Sequence, residues 1–140
     1  VLVSTVPDVG LTPFGMAERA ANTDTDRSAL LTRLTARFNA TMRSTILNDG
    51  RKIGLILTDE YFQTVVRFVG VGGFTNVTVG ACDLTKSTLV PPSILDCTDL
   101  TLVAGATGAT YVFADTTHFG SGAQLQLGTL ALTRAQNNPF

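Results

Sequence analysis

The sequence has few of the residues on which most catalytic and metal sites depend. It contains one histidine, two cysteines and no tryptophan, and charged residues make up only 15% of its 140 residues. A single histidine leaves one candidate for an ordinary general base at neutral pH. One histidine and two cysteines also offer too few ligands of suitable spacing for a metal ion. We therefore expect neither a metal nor another cofactor.

Basic clusters and long apolar runs are also absent. The net charge is −1, and no Lys/Arg cluster provides the electrostatic surface that a phosphate backbone requires, so we expect no nucleic-acid partner. Arg67 and the glycines Gly70, Gly72 and Gly73 interrupt the most apolar stretch. No run reaches the roughly 20 residues that a transmembrane helix needs, and we expect no transmembrane segment in this chain.

Hydrophobic periodicity predicts strands over residues 1–6, 52–58 and 111–114. It predicts helices over residues 26–47, 60–69 and 120–134, and in the first of these Leu30, Leu34 and Phe38 recur every four positions. Alternation of strands and helices is typical of a parallel sheet with helices on its faces. Strands as apolar as residues 1–6 are usually buried between neighbours, so we expect further strands outside this chain.

Residues 70–110 form a stretch of irregular pattern that is too long for an ordinary connection and is typical of functional or disulfide-bonded loops. Both cysteines, Cys82 and Cys97, lie in it. The residues favour a disulfide between them, and the alternative is a pair of reduced, buried thiols in a cytosolic protein.

Asp115 and His118 follow the third predicted strand directly. The carboxyl ends of parallel strands are where catalytic groups gather, and a turn of this length could let Asp115 accept a hydrogen bond from His118 Nδ1. Asp-x-x-His is a weak motif by itself, because an Asx turn beside a surface histidine explains it equally well. Asp8 and Asp59 also follow predicted strands, and each is as easily a turn or helix-capping residue.

Four segments, in this order along the chain, resemble the GDSL or SGNH family of serine esterases and lipases. They are residues 7–13 (PDVGLTP), residues 38–43 (FNATMR), residues 73–78 (GFTNVT) with Cys82 and Cys97, and residues 111–118 (YVFADTTH). The resemblance covers nearly the whole chain and is closest to secreted bacterial members, whose esterase domain can precede an autotransporter barrel. One departure is Phe119, where the family usually has proline.

The resemblance implies a three-layer α/β/α, flavodoxin-like parallel sheet, of which residues 1–140 form the C-terminal portion of a single domain. It places Asp115 and His118 at two positions of a Ser-His-Asp triad. The family's Gly-Asp-Ser-Leu nucleophile block and its oxyanion-hole blocks would precede Val1, and none of the serines in this sequence lies in such a setting.

The resemblance therefore predicts an ester hydrolase that is secreted, periplasmic or on a bacterial surface. Its substrate would be an acyl ester, and this chain alone would be inactive without the N-terminal part of the same domain as a second chain, whether the parent was nicked or the chain is an isolated fragment. The alternatives are a non-catalytic surface or adhesion module on an esterase scaffold, and a folding or dimerisation unit.

Overall fold

The computed structural model describes residues 1–46 and 52–136 of the chain. These residues form a mixed α/β structure. Its strands are β1 (Leu2–Ser4), β2 (Gly54–Ile56), β3 (Asn76–Gly80) and β4 (Tyr111–Phe113), and its helices are α1 (Pro13–Ala21), α2 (Arg27–Thr45), α3 (Thr58–Arg67) and α4 (Ser121–Gln136). None of the helices in these two ranges combines the length and apolarity that a membrane crossing requires.

The strands pair in parallel, as the alternation of elements predicts. They form two small sheets rather than one: β1 pairs with β2, and β3 pairs with β4. The prediction of three strands was incomplete, because β3 lies inside the stretch expected to be an irregular loop. Its five residues, NVTVG, are too short and too polar to separate from the surrounding glycines and threonines by pattern alone.

Helix α1 is not among the helices that the periodicity predicts. Thr12 caps it, because the Thr12 hydroxyl accepts a hydrogen bond from the Gly15 N–H at 3.1 Å. Pro13 occupies the first helical position, where its fixed φ fits and no N–H is needed. The predicted helix over residues 26–47 is α2, and Leu47 lies outside the described residues.

The hydrophobic core lies between the β3–β4 sheet and the helices α3 and α4. Its buried members are Phe62, Val65, Phe74, Val77, Val112, Phe113 and Ala123. Phe62 and Phe113 pack edge to face with ring centroids 5.6 Å apart, an arrangement favoured by the ring quadrupoles. This core fixes the position of β4 and hence of the turn that follows it.

The apolar residues that recur along α2 do not form its buried face. Leu34 and Phe38 are each 56% exposed, whereas Thr35 and Asn39 are buried. The Asn39 side chain accepts a hydrogen bond from Val6 N at 2.9 Å and donates one to Val6 O at 2.7 Å. It thereby satisfies the backbone where the chain leaves β1, so α2 is held by polar contacts and leaves its apolar stripe uncovered.

Strand β1 is less buried than expected. Leu2 is exposed and Val3 is half-buried, because among the described residues β1 has a neighbouring strand on one side only. Within the described residues β1 is therefore not a buried strand, and the expectation of further strands outside this chain stays a prediction. In β2, by contrast, Leu55 is buried.

Candidate active site

The turn between β4 and α4 brings Asp115 and His118 together. The Asp115 Oδ1 atom accepts hydrogen bonds from the backbone N–H groups of Thr117, at 2.8 Å, and His118, at 2.6 Å. The His118 carbonyl in turn accepts a hydrogen bond from Ala114 N at 2.8 Å. Asp115 is thus an Asx-turn residue, and this local role fixes the direction of its second carboxylate oxygen.

That second oxygen, Asp115 Oδ2, lies 2.7 Å from His118 Nδ1. The turn and the imidazole contact are therefore made by the same carboxylate, so the two sequence interpretations of Asp115 are compatible. A carboxylate at Nδ1 favours the tautomer with its proton on that atom, which leaves Nε2 able to accept a proton. The His118 side chain is 66% exposed and that of Asp115 only 14%, so the imidazole is accessible while its partner is shielded.

The hydrogen bonds to Asp115 stabilise its ionised form. Partial burial raises the pKa of the Asp115 carboxyl, but the backbone N–H groups of His118 and Thr117, together with the His118 imidazole, lower it by more. The pKa therefore lies below its ordinary value, and the carboxylate is charged at neutral pH. An ionised carboxylate at this position can stabilise an imidazolium that forms transiently.

Phe119 anchors the turn to the core. Its ring stacks on Phe113 with centroids 5.8 Å apart and meets Phe62 at 5.5 Å. The next residue, Gly120, donates its N–H to Val112 O at 2.8 Å. Phenylalanine at position 119 is therefore accommodated by packing, and the Asp115–His118 contact is formed with it in place.

Gly80, at the end of β3, packs directly on the backbone of Asp115. A Cβ atom at position 80 would lie 2.7 Å from Asp115 Cα and 2.9 Å from Ala114 O, so no side chain fits without moving the turn. On another side, Phe14 N donates to Thr116 O at 3.0 Å. This hydrogen bond joins the start of α1 to the turn.

A cavity of about 500 Å³ opens beside His118. Its walls include Ile94, Leu95 and Leu102 from the segment between β3 and β4, which carries both cysteines, and Phe119 from the turn. Cys82 and Cys97, which also line the cavity, form a disulfide, so the sequence prediction of that bond is confirmed. Sequence reasoning missed the wall residues because leucines in a segment without periodicity carry no positional signal.

Asp8 and Asp59 have structural roles. Asp8 is buried and caps a short 3-10 turn, with its carboxylate accepting from Gly10 N at 3.0 Å. Asp59 is buried and accepts from the Thr5 hydroxyl at 2.6 Å and from an Arg43 guanidinium nitrogen at 2.8 Å. Burial raises the pKa of Asp59, but the Thr5 hydrogen bond and the Arg43 cation outweigh it and hold that pKa below its ordinary value.

The described residues contain neither a metal-binding group nor a serine that hydrogen-bonds to the imidazole. In residues 1–46 and 52–136, no three His, Cys, Asp or Glu side chains are arranged to hold a metal ion. Over the same ranges the side-chain hydrogen bonds of the His118 imidazole are with Asp115 and, at 3.4 Å, with the Thr117 hydroxyl. Ser121 lines the same cavity as His118 without a hydrogen bond to it.

Chemically, the arrangement can accept a proton at His118 Nε2, stabilise the resulting imidazolium through Asp115, and hold an apolar group alongside. A proton acceptor that a charged partner stabilises is what general-base catalysis requires. In comparisons with known proteins, no family model and no curated protein matched this chain.

Proposed function

We propose that this chain supplies the Asp–His base of a serine ester hydrolase. The proposal rests on the position of His118. Its Nδ1 lies 2.7 Å from a shielded carboxylate, its side chain is exposed, and it lines a cavity whose walls are more apolar than polar. A serine hydroxyl would attack the acyl carbonyl carbon as Nε2 takes the hydroxyl proton. His118 would then return that proton to the leaving alkoxide, and Asp115 would stabilise the imidazolium in between. Such acid–base assistance contributes roughly 10²–10⁴-fold to rate.

We place the nucleophile on a further segment of the same α/β domain, which acts as a partner of this chain. The uncovered apolar stripe of α2 and the one-sided pairing of β1 support this placement, because both are surfaces that a flanking strand and helix would cover. With that segment in place, the two parallel strand pairs would belong to a three-layer α/β/α domain of the GDSL or SGNH type. The isolated chain would be inactive, since a triad and its oxyanion donors act as a unit.

The disulfide supports a location in an oxidising compartment. Disulfides persist in secreted, periplasmic and cell-surface proteins and are rare in the cytosol. We therefore place the complete esterase outside the cytoplasm, as a secreted, periplasmic or bacterial cell-surface protein.

The test is to purify this chain under native conditions from its source and treat the material with a fluorophosphonate probe, which labels activated serines. Intact masses are then measured under denaturing conditions. We expect an unlabelled 14.8 kDa chain together with a labelled second polypeptide, and we expect hydrolysis of an acyl ester that the variant His118→Ala abolishes. Ser121→Ala is the matched control, because Ser121 lines the same cavity, and it should leave labelling unchanged.

Two results would contradict the proposal. Label on the 14.8 kDa chain itself, lost in Ser121→Ala, would place the nucleophile here and remove the need for a partner segment. Absence of any labelled species, together with specific binding to another macromolecule, would favour the non-catalytic surface or adhesion module.

A further inference from the structure

A second cavity, polar in character, lies at the carboxyl end of the β1–β2 pair. Asp8 follows β1 and Asp59 follows β2, and both line the cavity, at the edge of a parallel sheet where ligands usually bind. The cavity has a volume of about 230 Å³, and every lining residue except Ala36 is polar or charged. None of these residues lines the cavity beside His118.

One oxygen of the buried Asp8 carboxylate has no hydrogen-bond donor. Asp8 is only 3% exposed. Its Oδ1 atom accepts from Gly10 N at 3.0 Å and from the Thr32 hydroxyl at 2.8 Å, whereas Oδ2 accepts no hydrogen bond from residues 1–46 and 52–136. A buried carboxylate oxygen without a donor costs folding free energy and is rare in proteins. A ligand that donates to Oδ2 would remove that cost.

Other side chains that line this cavity also have acceptor atoms to spare. Thr35 is 7% exposed, and its hydroxyl oxygen accepts one long hydrogen bond, from Val9 N at 3.5 Å. Glu60 uses Oε1 for Arg43, and with its side chain 64% exposed it lies at the mouth of the cavity. The Gln63 amide makes no hydrogen bond in the described part of the chain. The cavity therefore offers acceptors both inside and at its mouth.

The charges of the lining favour a cation. Among the described residues that line the cavity, three are acidic and one, Arg43, is basic. The Arg43 guanidinium is already paired with Asp59 at 2.8 Å and with Glu60 at 3.0 Å, so an anion would meet an excess of negative charge. The same described residues hold no set of ligands arranged for a metal ion. A water molecule takes about 30 Å³, so about 230 Å³ has room for an ammonium group with a short alkyl chain.

We propose that this cavity binds the ammonium group of a small primary amine. An ammonium group has three N–H donors, which equal in number the free acceptors at Asp8 Oδ2, the Thr35 hydroxyl and Glu60 Oε2. The same chemistry occurs in a free amine and in a lysine side chain, and the experiment separates the two. The inference is independent of the proposed function, because no residue of the Asp115–His118 turn takes part.

Two aspartates of the chain provide a matched pair for a test. Asp8 caps the 3-10 turn that follows it, and Asp26 caps α2 by accepting from Ala29 N at 2.9 Å. Asparagine keeps a capping oxygen in both cases and removes the charge, but Asp26 does not line the cavity. Gln63→Glu is the converse change, because it adds a carboxylate of the same shape to the lining.

The experiment titrates the full chain with n-butylammonium chloride at constant ionic strength and follows the backbone amides by NMR. We expect saturable shifts centred on Gly10, whose N–H donates to Asp8. Asp8→Asn should weaken binding by roughly tenfold or more, Asp26→Asn should change it by no more than about twofold, and Gln63→Glu should strengthen it about threefold. Tetramethylammonium chloride, which has the same charge and no N–H donor, should not bind.

The N-acetyl methylamide of lysine then separates the two sources of an ammonium group. Displacement of n-butylammonium by this compound would assign the site to a lysine side chain of a partner, and lack of displacement would assign it to a free amine.

Four results would overturn the proposal. The absence of saturable shifts would mean that solvent alone satisfies Asp8 Oδ2, and equal shifts with tetramethylammonium would mean that charge alone is sensed. An equal effect of the two asparagine variants would place the amine elsewhere, and displacement of n-butylammonium by an equal concentration of calcium chloride would indicate a metal site. Circular dichroism checks the fold of each variant. Should Asp8→Asn not fold, Gln63→Glu decides, because unchanged affinity there would also overturn the proposal.

Discussion

Replacing Asp115 by asparagine should move the proton of the neutral His118 imidazole from Nδ1 to Nε2. In the native chain Asp115 Oδ2 accepts at 2.7 Å from Nδ1. Asparagine retains an oxygen for the backbone N–H groups of Thr117 and His118, so the turn can persist, but it presents an N–H₂ donor to the ring. Nδ1 must then act as the acceptor, and the proton is left on the nitrogen that the proposed mechanism needs free.

The size of this preference follows from the geometry. A hydrogen bond to a charged group contributes about 1.5–3 kcal/mol, and with His118 66% exposed we expect the effect to be reduced by solvent to about 1 kcal/mol. About 1 kcal/mol corresponds to roughly a fivefold preference for the Nδ1–H tautomer. In Asp115→Asn the preference should reverse. If the proposed function holds, ester hydrolysis should then fall by orders of magnitude, since the same substitution in a serine-protease triad costs roughly 10⁴-fold.

The assay is nitrogen-15 NMR of the imidazole, and it needs no assignment because the chain has one histidine. Spectra are recorded in mildly alkaline buffer. Asp99→Asn is the control, since Asp99 lines the same cavity but is not among the hydrogen-bond partners of the ring, and it should keep the native tautomer. An identical tautomer in Asp115→Asn and the native chain would refute the assignment of Asp115 as the group that orients His118.

Three further predictions concern the support of the site. Gly80→Ala should lower the free energy of unfolding by about 1–3 kcal/mol in urea denaturation, because its Cβ would meet Asp115 Cα at 2.7 Å; Gly128→Ala, with open space around its Cβ, should be neutral or slightly stabilising. The double change Cys82→Ser and Cys97→Ser should cost about 3 kcal/mol of unfolding free energy, and a loss near zero in the same denaturation assay would show that the loop holds its shape without the bond. The pKa of Asp59 is lowered in the folded chain. Its contribution to stability is therefore present above the unfolded pKa of about 3.9 and is lost as pH falls through the folded value. On acidification, the free energy of unfolding should fall less for Asp59→Asn than for the native chain.

Much of the element order could be predicted from the sequence. The helix over residues 26–47 and the strand at residues 111–114 are in place within one or two residues, because long periodicity and β-branched or aromatic runs give strong local signals. Strand β3 could not be predicted, since its pairing with β4 is a contact between residues far apart in the chain. The burial of α2 was also beyond the pattern, because Asn39 is buried by hydrogen bonds to Val6 that no hydrophobic period encodes.

The pair Asp115 and His118 was accessible to sequence reasoning for a physical reason. All three hydrogen bonds that Asp115 accepts come from groups within three residues, so a four-residue motif specifies the geometry almost completely. The cavity wall and Gly80 were inaccessible for the opposite reason, because their roles depend on the distance between segments that only the fold brings together.

The difference between local and long-range contacts also explains why the proposed site would be divided between two segments. The Asp115–His118 pair needs only the turn, the stack of Phe113 and Phe119 and the contact with Gly80, all of which lie within the described part of this chain. A nucleophile and its oxyanion donors must instead be placed at a distance set by neighbouring strands. The turn therefore suffices to form an exposed imidazole that a shielded carboxylate orients. On the proposed function, the nucleophile and the oxyanion donors would come from a segment that pairs with the open side of β1 and covers the apolar stripe of α2.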